Sequence, residues 1–288
     1  MLNKIIFLVK DEAQREPVRR LKERLEREKE EIDLESYVGE EIFLLGDGLF
    51  SKWQDNPVLF LTDEKAALKM LKEEGKAVAA FLHENNKAED LSAAVYAVTD
   101  LEELSFDSLE KAWQRLKGLP WTVLETERCT VRETTLEDVD AFYEIYAEPS
   151  ITYYMEKLYE DPEEEREYTK AYIREIYGFY GYGLWTIVHR ESGEVIGRAG
   201  LGWRAEFDIP ELGFVIAAPF QKKGYAYEVC LAILSYGKKE LGFKKVQALV
   251  EKENTASIHL CRKLGFTWHD RVESRGMEYE RYLWESRI

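Results

Sequence analysis

The sequence predicts two consecutive α/β domains joined near residue 121. Three observations carry this reading. The chain has 288 residues, about the length of two ordinary domains. Over the first 120 residues, short apolar runs alternate with amphipathic stretches of helical period, the pattern of a layered domain on a parallel or mostly parallel sheet. A helix-like stretch then runs into Gly118, Leu119 and Pro120, which stop it, and from residue 122 the order of elements becomes β-α-α-β-β-β-α-β-α-β-β.

Lys4 to Val9 is a short strand with β-branched and aromatic members. From about Pro17 to Ile32, apolar Val18, Leu21, Leu25 and Ile32 recur at spacings of three, four and seven, one narrow helical stripe among Lys, Arg and Glu. Pairs such as Glu23 and Arg27, four apart, suit a solvated helix face. Val58 to Leu61 reads as a buried strand, Asp63 to Glu74 as a helix ended by Gly75, Ala77 to Leu82 and Val95 to Val98 as strands, and Asp107 to Lys117 as the closing helix.

In the second half, Thr122 to Arg132 is strand-like. Thr135-Leu-Glu-Asp138 sets a Thr three residues before an acid, a helix cap, ahead of a helix that turns Leu136, Val139, Phe142, Ile145 and Tyr146 inward. The acidic run Glu160 to Glu167 opens the next helix, where negative charge suits the positive end of the dipole. Strands Leu184 to His189 and Glu194 to Trp203 flank a turn at Glu191-Ser-Gly193. A strand over Ile209 to Ala217, a helix over Gly224 to Leu241, a strand over Val246 to Val250 and a helix over Thr255 to Leu264 follow. Strands around Thr267 to Arg271 and Glu278 to Leu283 close the order.

Composition narrows the function classes. Acidic residues number 56 against 40 Lys and Arg, a formal charge of −16, and the sequence pI is ≈ 4.9. Such a chain lacks the concentrated cationic face that neutralises phosphates, so an amine-bearing or cationic partner is expected and nucleic acid is not. A hydrophobic fraction of 45% supplies a sizeable core and excludes global disorder. The longest apolar stretches, such as Ile5 to Val9, are too short to span a membrane, and no signal-peptide pattern opens the chain, so a cytoplasmic protein without a membrane partner is expected. Cys129, Cys230 and Cys261 are odd in number, widely spaced and without a C-x-x-C pair, and the four histidines are scattered. Neither a disulfide framework nor a metal site is expected.

The most informative segment is Glu211-Leu-Gly-Phe-Val-Ile-Ala-Ala-Pro-Phe-Gln-Lys-Lys-Gly-Tyr-Ala226, a strand leading through a short loop into a helix. Gly224 and the small Ala226 let main-chain N–H groups converge at the helix start, where the dipole favours a negative group such as phosphate. Lys222 and Lys223 oppose the sign of the whole protein, which strengthens that reading. A routine helix-opening turn with solvated lysines is the competing one. Neither the P-loop pattern nor Gly-x-Gly-x-x-Gly is present. About thirty residues on, Asn254-Thr-Ala-Ser257 opens a helix that closes with Arg262-Lys-Leu-Gly-Phe266. Asn254 is a good N-cap and Gly265 a good C-cap, so local structure alone also explains both.

Together these segments resemble the Gln/Arg-x-x-Gly-x-Gly/Ala loop and the Asn-x-x-Ser plus Lys-x-Gly-Phe helix of the GNAT acetyltransferases, in the branch that includes the ribosomal-protein N-acetyltransferases. Gly181-Tyr-Gly-Leu-Trp185, Val195-Ile-Gly-Arg-Ala-Gly-Leu201 and the element order resemble that branch as well, over about residues 122 to 288. The resemblance implies a mixed, mostly antiparallel sheet with helices on both faces, splayed between its fourth and fifth strands where acetyl-CoA inserts. It implies that Val215 and Ile216 offer main-chain groups to the pantetheine arm. Gln221, Lys222, Lys223, Gly224, Tyr225 and Ala226 would hold the pyrophosphate, with Asn254 and Ser257 along the cofactor. Gln221 stands where the family more often has Arg. The family's acceptor pocket is lined by the region of Tyr177, Phe179, Tyr180, Tyr182 and Trp185, which makes Tyr180, Tyr182 and Trp185 candidate substrate contacts. Aromatics at this spacing are also ordinary core residues.

Acetyl transfer to an amine needs a neutral nucleophile, a polarised thioester and an acid for the departing thiolate. An amine with the proton affinity of Lys is almost wholly charged at neutral pH, so a carboxylate acting directly or through water is expected. Glu211, at the start of the cofactor strand and matching the Glu of the family's Glu-Ile-Gly pattern, is the candidate base; an exposed strand-end acid is the alternative. Cys261 stands where many members carry a Tyr acid. A thiol can donate a proton, but a small buried hydrophobe is the competing reading, and a thiolate leaving group can be protonated by solvent. The expected function is an acetyl-CoA-dependent N-acetyltransferase acting on a primary amine, either a small molecule or a protein N-terminus. A non-catalytic acyl-CoA sensor is the alternative that Cys261 keeps open.

Residues 1 to 121 resemble a reduced HAD-like domain, a smaller Rossmann-like α/β unit, through Val58-Leu-Phe-Leu-Thr-Asp63, the helix ending at Gly75, and Ala94 to Leu104. The Asp-x-Asp-x-Thr of that family is absent: Phe7-Leu-Val-Lys-Asp11 offers a single acid after its strand. Asp47 and Asp63 are isolated aspartates of the kind that cap helices or make turns. This half is expected to be non-catalytic and to serve substrate recognition or dimerisation, with a homodimer as one assembly. A magnesium-dependent HAD-type phosphohydrolase using Asp11, with an accessory acyl-CoA domain, is the competing enzyme.

Overall fold

The computed structural model describes residues 1–29, 31–39, 57–155 and 157–286. They form two compact units, Met1–Trp121 and Thr122–Ile288. The first unit contains, in chain order, β1 (Lys4–Val9), α1 (Arg15–Glu28), β2 (Asp33–Val38), β3 (Val58–Thr62), α2 (Lys65–Glu73), β4 (Ala77–Phe81), β5 (Ala97–Val98) and α3 (Phe106–Leu116). Its strands pair in parallel in the order β2-β1-β3-β4-β5. Alternation along β1 sends Ile5, Phe7 and Val9 into one core with α1 and α3, and Ile6 and Leu8 into another with α2. A parallel sheet covered on both faces is why β1, β3 and β4 are apolar along almost their whole length.

One expectation is corrected in this unit, and one strand was not expected. The stripe through Ile32 is not one helix: α1 ends at Glu28, and Ile32 is buried just before β2. β2 itself, Asp-Leu-Glu-Ser-Tyr-Val, carries no sequence signal of a core strand because it lies at the sheet edge. Only Leu34 and Val38 turn fully inward, and Asp33 and Glu35 pair with the ammonium of Lys4 at 2.5 and 2.6 Å.

The second unit contains β6 (Thr122–Glu125), β7 (Cys129–Arg132), α4 (Asp138–Tyr146), α5 (Pro149–Thr152) and α6 (Pro162–Tyr172), which runs on through a π-helical segment, Ile173–Tyr177, into α7 (Gly178–Tyr180). Then follow β8 (Leu184–His189), β9 (Val195–Gly202), β10 (Glu211–Ile216), α8 (Tyr225–Lys239), β11 (Lys245–Val250), α9 (Thr255–Lys263), β12 (Thr267–Ser274) and β13 (Met277–Glu285). The sheet order is β12-β13-β11-β10-β9-β8-β7-β6, antiparallel throughout except where β10 meets β11.

The strand expected over Thr122 to Arg132 is a hairpin. Thr126 closes it, its N–H and hydroxyl donating to the Cys129 carbonyl at 2.8 and 3.1 Å. The next helix starts at Asp138, not behind a Thr135 cap. The Asp138 carboxylate is buried, accepts from the Thr135 N–H at 2.9 Å and takes both ends of the Arg132 guanidinium. Leu136, expected inward, is 37% exposed. One face of the sheet packs on α8 and α9 through Ile187, Ala199, Leu201, Leu212, Val229, Ile233, Val246 and Leu264.

Candidate functional site

The site follows from how little of β10 touches β11. The two parallel strands share one register pair, Glu211 with Gln247, beside which the Gln247 N–H donates to the Pro210 carbonyl at 2.8 Å. Past that pair β11 offers β10 no ladder partner, so the sheet opens between the fifth and sixth strands of the unit once β6 and β7 are counted separately. On its other edge β10 is paired with β9 over its whole length. Main-chain groups alternate along a strand. Because Pro210 bonds towards β11 and the Ala217 N–H donates back to Ile196 of the β9 strand, Phe214 and Ile216 carry the groups that face the opening. Val215 has the opposite parity, its carbonyl lying against Gly197 of β9. Of the two residues expected to offer main-chain groups here, Ile216 is placed to do so and Val215 is not.

The opening leads to the start of α8. That helix has Gly224 as N-cap, at φ +89°, and no side-chain cap. Lys222, at φ +59°, is also left-handed. Left-handed residues beside right-handed ones turn successive N–H groups to one side, a concavity for an anion, and the helix dipole adds to it. Gln221, Lys222, Lys223 and Gly224 are exposed, Ala226 is partly buried, and Tyr225 is buried beneath them. The Gln221 carboxamide is turned inward, donating to the Ile216 carbonyl at 2.9 Å. Across the opening, Asn254 caps α9 by accepting from the Ser257 N–H at 3.1 Å. Ile151 and Met155 pack with Val215 and Ala217, and the Tyr154 hydroxyl donates to the Glu253 carbonyl at 3.1 Å, so residues 151–155 pass from the end of β10 to the turn before α9. An open strand edge leading to an uncapped helix start fits a slender ligand with amide groups and a phosphate, the donor set acetyl-CoA requires.

Glu211 lies at the apex of the opening. It is not a free strand-end acid: Arg204 holds it, Nη2 donating to one carboxylate oxygen at 3.2 Å and Nε to the other, while Nη1 reaches the Ser274 hydroxyl at 3.3 Å. Its register partner Gln247 is wholly buried. The Gln247 amide donates to the Ile209 carbonyl at 3.0 Å, and its side-chain oxygen has no protein donor. Cys261 is corrected outright. It is fully buried among apolar neighbours, the small-hydrophobe reading, and desolvation pushes its thiol up to about 12, which makes it a weaker acid than the thiol it would have to protonate.

The aromatic cluster divides. Trp185 is 0% exposed and packs edge-on against Tyr236 of α8, and Tyr182 belongs to the same core, taking a hydrogen bond from the Trp203 indole. Neither is open to a substrate. Tyr180 is half exposed and remains accessible. Tyr177 is buried, and its hydroxyl bonds the Leu184 carbonyl and accepts from the Thr134 N–H at 3.2 Å. A cavity of about 310 Å³ lies between α4 and the segment after α5, lined by Tyr143, Tyr146, Thr152, Lys157, Tyr159 and Glu160.

Two residues that matter here carry no sequence signal. Arg204 reaches Glu211 across the β9–β10 connection, and Arg128, in the β6–β7 turn, reaches the start of α8 from 100 residues away. Neither has a motif or spacing that marks it.

In the first unit, Asp11 and Asp63 meet at the carboxyl ends of β1 and β3. Asp63 accepts from the Lys10 and Asp11 N–H groups at 2.6 and 3.1 Å and lies 3.1 Å from His83 Nε2. Asp11 accepts from the Ala13 N–H at 3.0 Å and from the Asn85 amide at 2.7 Å, bonds that hold its carboxyl below the usual range. Asp47 lies outside the described residues. Among the described residues no group of three or more His, Cys, Asp or Glu side chains is disposed to hold a metal ion, and no helix is long and apolar enough to cross a membrane.

Comparison with known proteins gives a consistent result for the second unit. Residues 128–267 match the family model of the acetyltransferase (GNAT) domain. An uncharacterized N-acetyltransferase, p20, of Bacillus licheniformis is 31% identical over 145 residues, which cover 50% of this chain and 81% of that protein. YoaA of Bacillus subtilis, also an uncharacterized N-acetyltransferase, is 30% identical over 150 residues, covering 50% of this chain and 82% of that protein. In fold, the chain is similar to a crystal structure of an acetyltransferase from Agrobacterium tumefaciens, at TM-score 0.50 and 24% identity, over 57% of this chain and 94% of that one.

Proposed function

Because the chain belongs to the GNAT acetyltransferase family and is an acetyl-CoA-dependent N-acetyltransferase, we propose that its second unit transfers acetyl to the primary amine of a small molecule or a protein N-terminus by direct attack on the thioester. The observation that carries this is the single Glu211–Gln247 pair: the sheet opens beside it, and the opening ends at a helix start without a side-chain cap. Acetyl-CoA, when bound, supplies an activated acyl group on a thiol leaving group. The main-chain groups of Phe214 and the N–H of Ile216, whose carbonyl accepts from Gln221, hydrogen-bond the pantetheine amides as a missing strand would. The N–H groups from Lys222 to Ala226 receive the pyrophosphate. Asn254 and Ser257 fix the start of α9 along the other wall, and Tyr180 is the aromatic open to the acceptor.

Glu211 takes the acceptor's proton directly or through a water, and Arg204 orients its carboxylate at the root of the opening. With Cys261 buried, the thiolate takes its proton from solvent. The first unit is, in this proposal, a non-catalytic Rossmann-like domain of HAD type. That is supported by the parallel sheet of this unit and by Asp11 and Asp63, whose carboxylates accept local backbone and side-chain bonds.

Thiol release from acetyl-CoA, followed over a panel of polyamines, amino acids, aminoglycosides and peptides with free N-termini, tests the proposal. The wild-type protein is expected to release thiol with at least one class, and Glu211→Gln to slow that reaction about 10²- to 10⁴-fold. Undiminished turnover by Glu211→Gln would remove Glu211 as base. Tight CoA binding without thiol release across the panel would favour the sensor reading.

A further inference from the structure

We infer that Arg128 is a phosphate-contact residue of the cofactor site, supplying a fixed guanidinium at the mouth of the α8 loop. The inference rests on the acetyl-CoA reading above and adds to it a residue from a distant turn. The loop's own side chains are poorly placed for precise recognition: Lys222 and Lys223 are exposed on flexible stems, and the neutral Gln221 amide is engaged by the Ile216 carbonyl. Arg128 is held on three sides. Its main-chain N–H and Nε donate to the two carboxylate oxygens of Glu228 at 2.9 and 2.7 Å, Nη2 lies 2.7 Å from the oxygen that Nε meets, Nη1 donates to the Lys223 carbonyl at 3.0 Å, and the guanidinium lies 4.1 Å above the Tyr225 ring. The platform is itself fixed, the Tyr225 hydroxyl lying 3.1 Å from His189 Nε2 and its ring meeting Phe220 edge-on.

A guanidinium has five N–H groups, so these contacts leave one on Nη1 and one on Nη2 for another partner. The side chain is 37% exposed, and Nη2 is the atom that a Cβ built on Gly224 would meet first, at 3.4 Å. The fork therefore borders the concavity where the α8 N–H groups converge. A partly exposed ion pair adds little to folding stability, so the Glu228 contact is better understood as orienting the guanidinium than as holding the fold. A planar fork pre-set by one carboxylate and stacked on a ring matches phosphate geometry at small entropic cost.

Calorimetric binding of CoA and of dephospho-CoA to the wild-type protein, Arg128→Gln, Arg128→Lys and Glu228→Gln tests this, with thermal unfolding of each ligand-free variant as the check on folding. Arg128→Gln is expected to weaken CoA binding about 10- to 100-fold, the loss of a charge-assisted bond, and to flatten the dependence of the dissociation constant on salt. Glu228→Gln is expected to weaken binding several-fold, less than Arg128→Gln, because the fork loses part of its orientation but keeps its charge. If the loss is equal for both ligands the contact is to the pyrophosphate; if it vanishes with dephospho-CoA the contact is to the 3′-phosphate. Should Arg128→Gln fail to fold, Arg128→Lys decides, with a several-fold weakening expected. Unchanged binding by Arg128→Gln or, in that case, by Arg128→Lys would overturn the inference, as would equal weakening by Glu228→Gln and Arg128→Gln, which marks a brace for the loop only. A wild-type protein that bound neither ligand would overturn the cofactor reading instead.

Discussion

Gly197→Ala probes the seam between β9 and β10. A Cβ built at residue 197 would lie 2.1 Å from the Val215 carbonyl oxygen and 3.1 Å from the Ile216 Cα. Both are main-chain atoms of a strand bonded along its full length, so no rotamer change relieves the clash. Restoring even a tight contact requires β10 to move by about 1 Å, and overpacking of this kind costs about 1–3 kcal/mol. For a unit of this size that lowers the melting temperature by about 2–12 °C. The displaced residues are those that border the opening, so kcat/KM for acetyl-CoA should fall as well, by about 100-fold for a shift near 1 Å. Gly202→Ala, on the same strand with no atom within 4 Å of the added Cβ, is the control and should keep wild-type behaviour. Near-ultraviolet circular dichroism against temperature, with thiol-release kinetics on the same samples, measures both effects. A Gly197→Ala protein with wild-type melting and kinetics would refute the packing argument.

Cys261→Ala should keep kcat within a few-fold of wild type, because a thiol pushed up to about 12 by burial is not the acid. Consistent with three buried cysteines, a thiol reagent should find none in the native protein at pH 8 and three after denaturation. Glu228 is opposed by desolvation, but bonds from Thr126 and Arg128 outweigh it and hold its carboxyl below the usual range. Its contribution to stability, about 1 kcal/mol or less for a partly exposed pair, is therefore complete above the ordinary glutamate range near 4.3 and is lost as the pH falls below it. Urea midpoints for wild type and Glu228→Gln should differ at pH 7 and converge below pH 4; a gap that stays constant with pH would contradict this.

Much of the framework is legible in the chain because local chemistry and fold agree. The doubly covered strands of the first unit show as unbroken apolar runs, and the loop before α8 announces itself through Gly224 and its neighbouring lysines. What the sequence hides is tertiary. β2 is an acidic edge strand, visible only once Lys4 is known to face Asp33 and Glu35. The β6–β7 hairpin turns on a Thr126 hydroxyl, without the Gly, Asn or Pro that usually marks a turn. Glu211 could be placed on its strand from sequence, but its partner Arg204 could not. Trp185 and Tyr182 look like pocket residues by spacing, and their burial follows from α8 packing over that face of the sheet. Val215 was assigned to the opening by position, and strand parity sends its carbonyl to β9.

An unpaired strand edge is ordinarily a hazard, since it invites another chain to add a strand and seeds association. The edge of β10 is exempt by position. It lies inside the sheet, with β11 rooted beside it at Glu211 and residues 151–155 passing over its far end. A second polypeptide could reach it only by entering the sheet between two of its own strands, not by adding to an open flank. The protein can keep such an edge permanently available to a thin ligand without exposing a surface on which its own copies would aggregate.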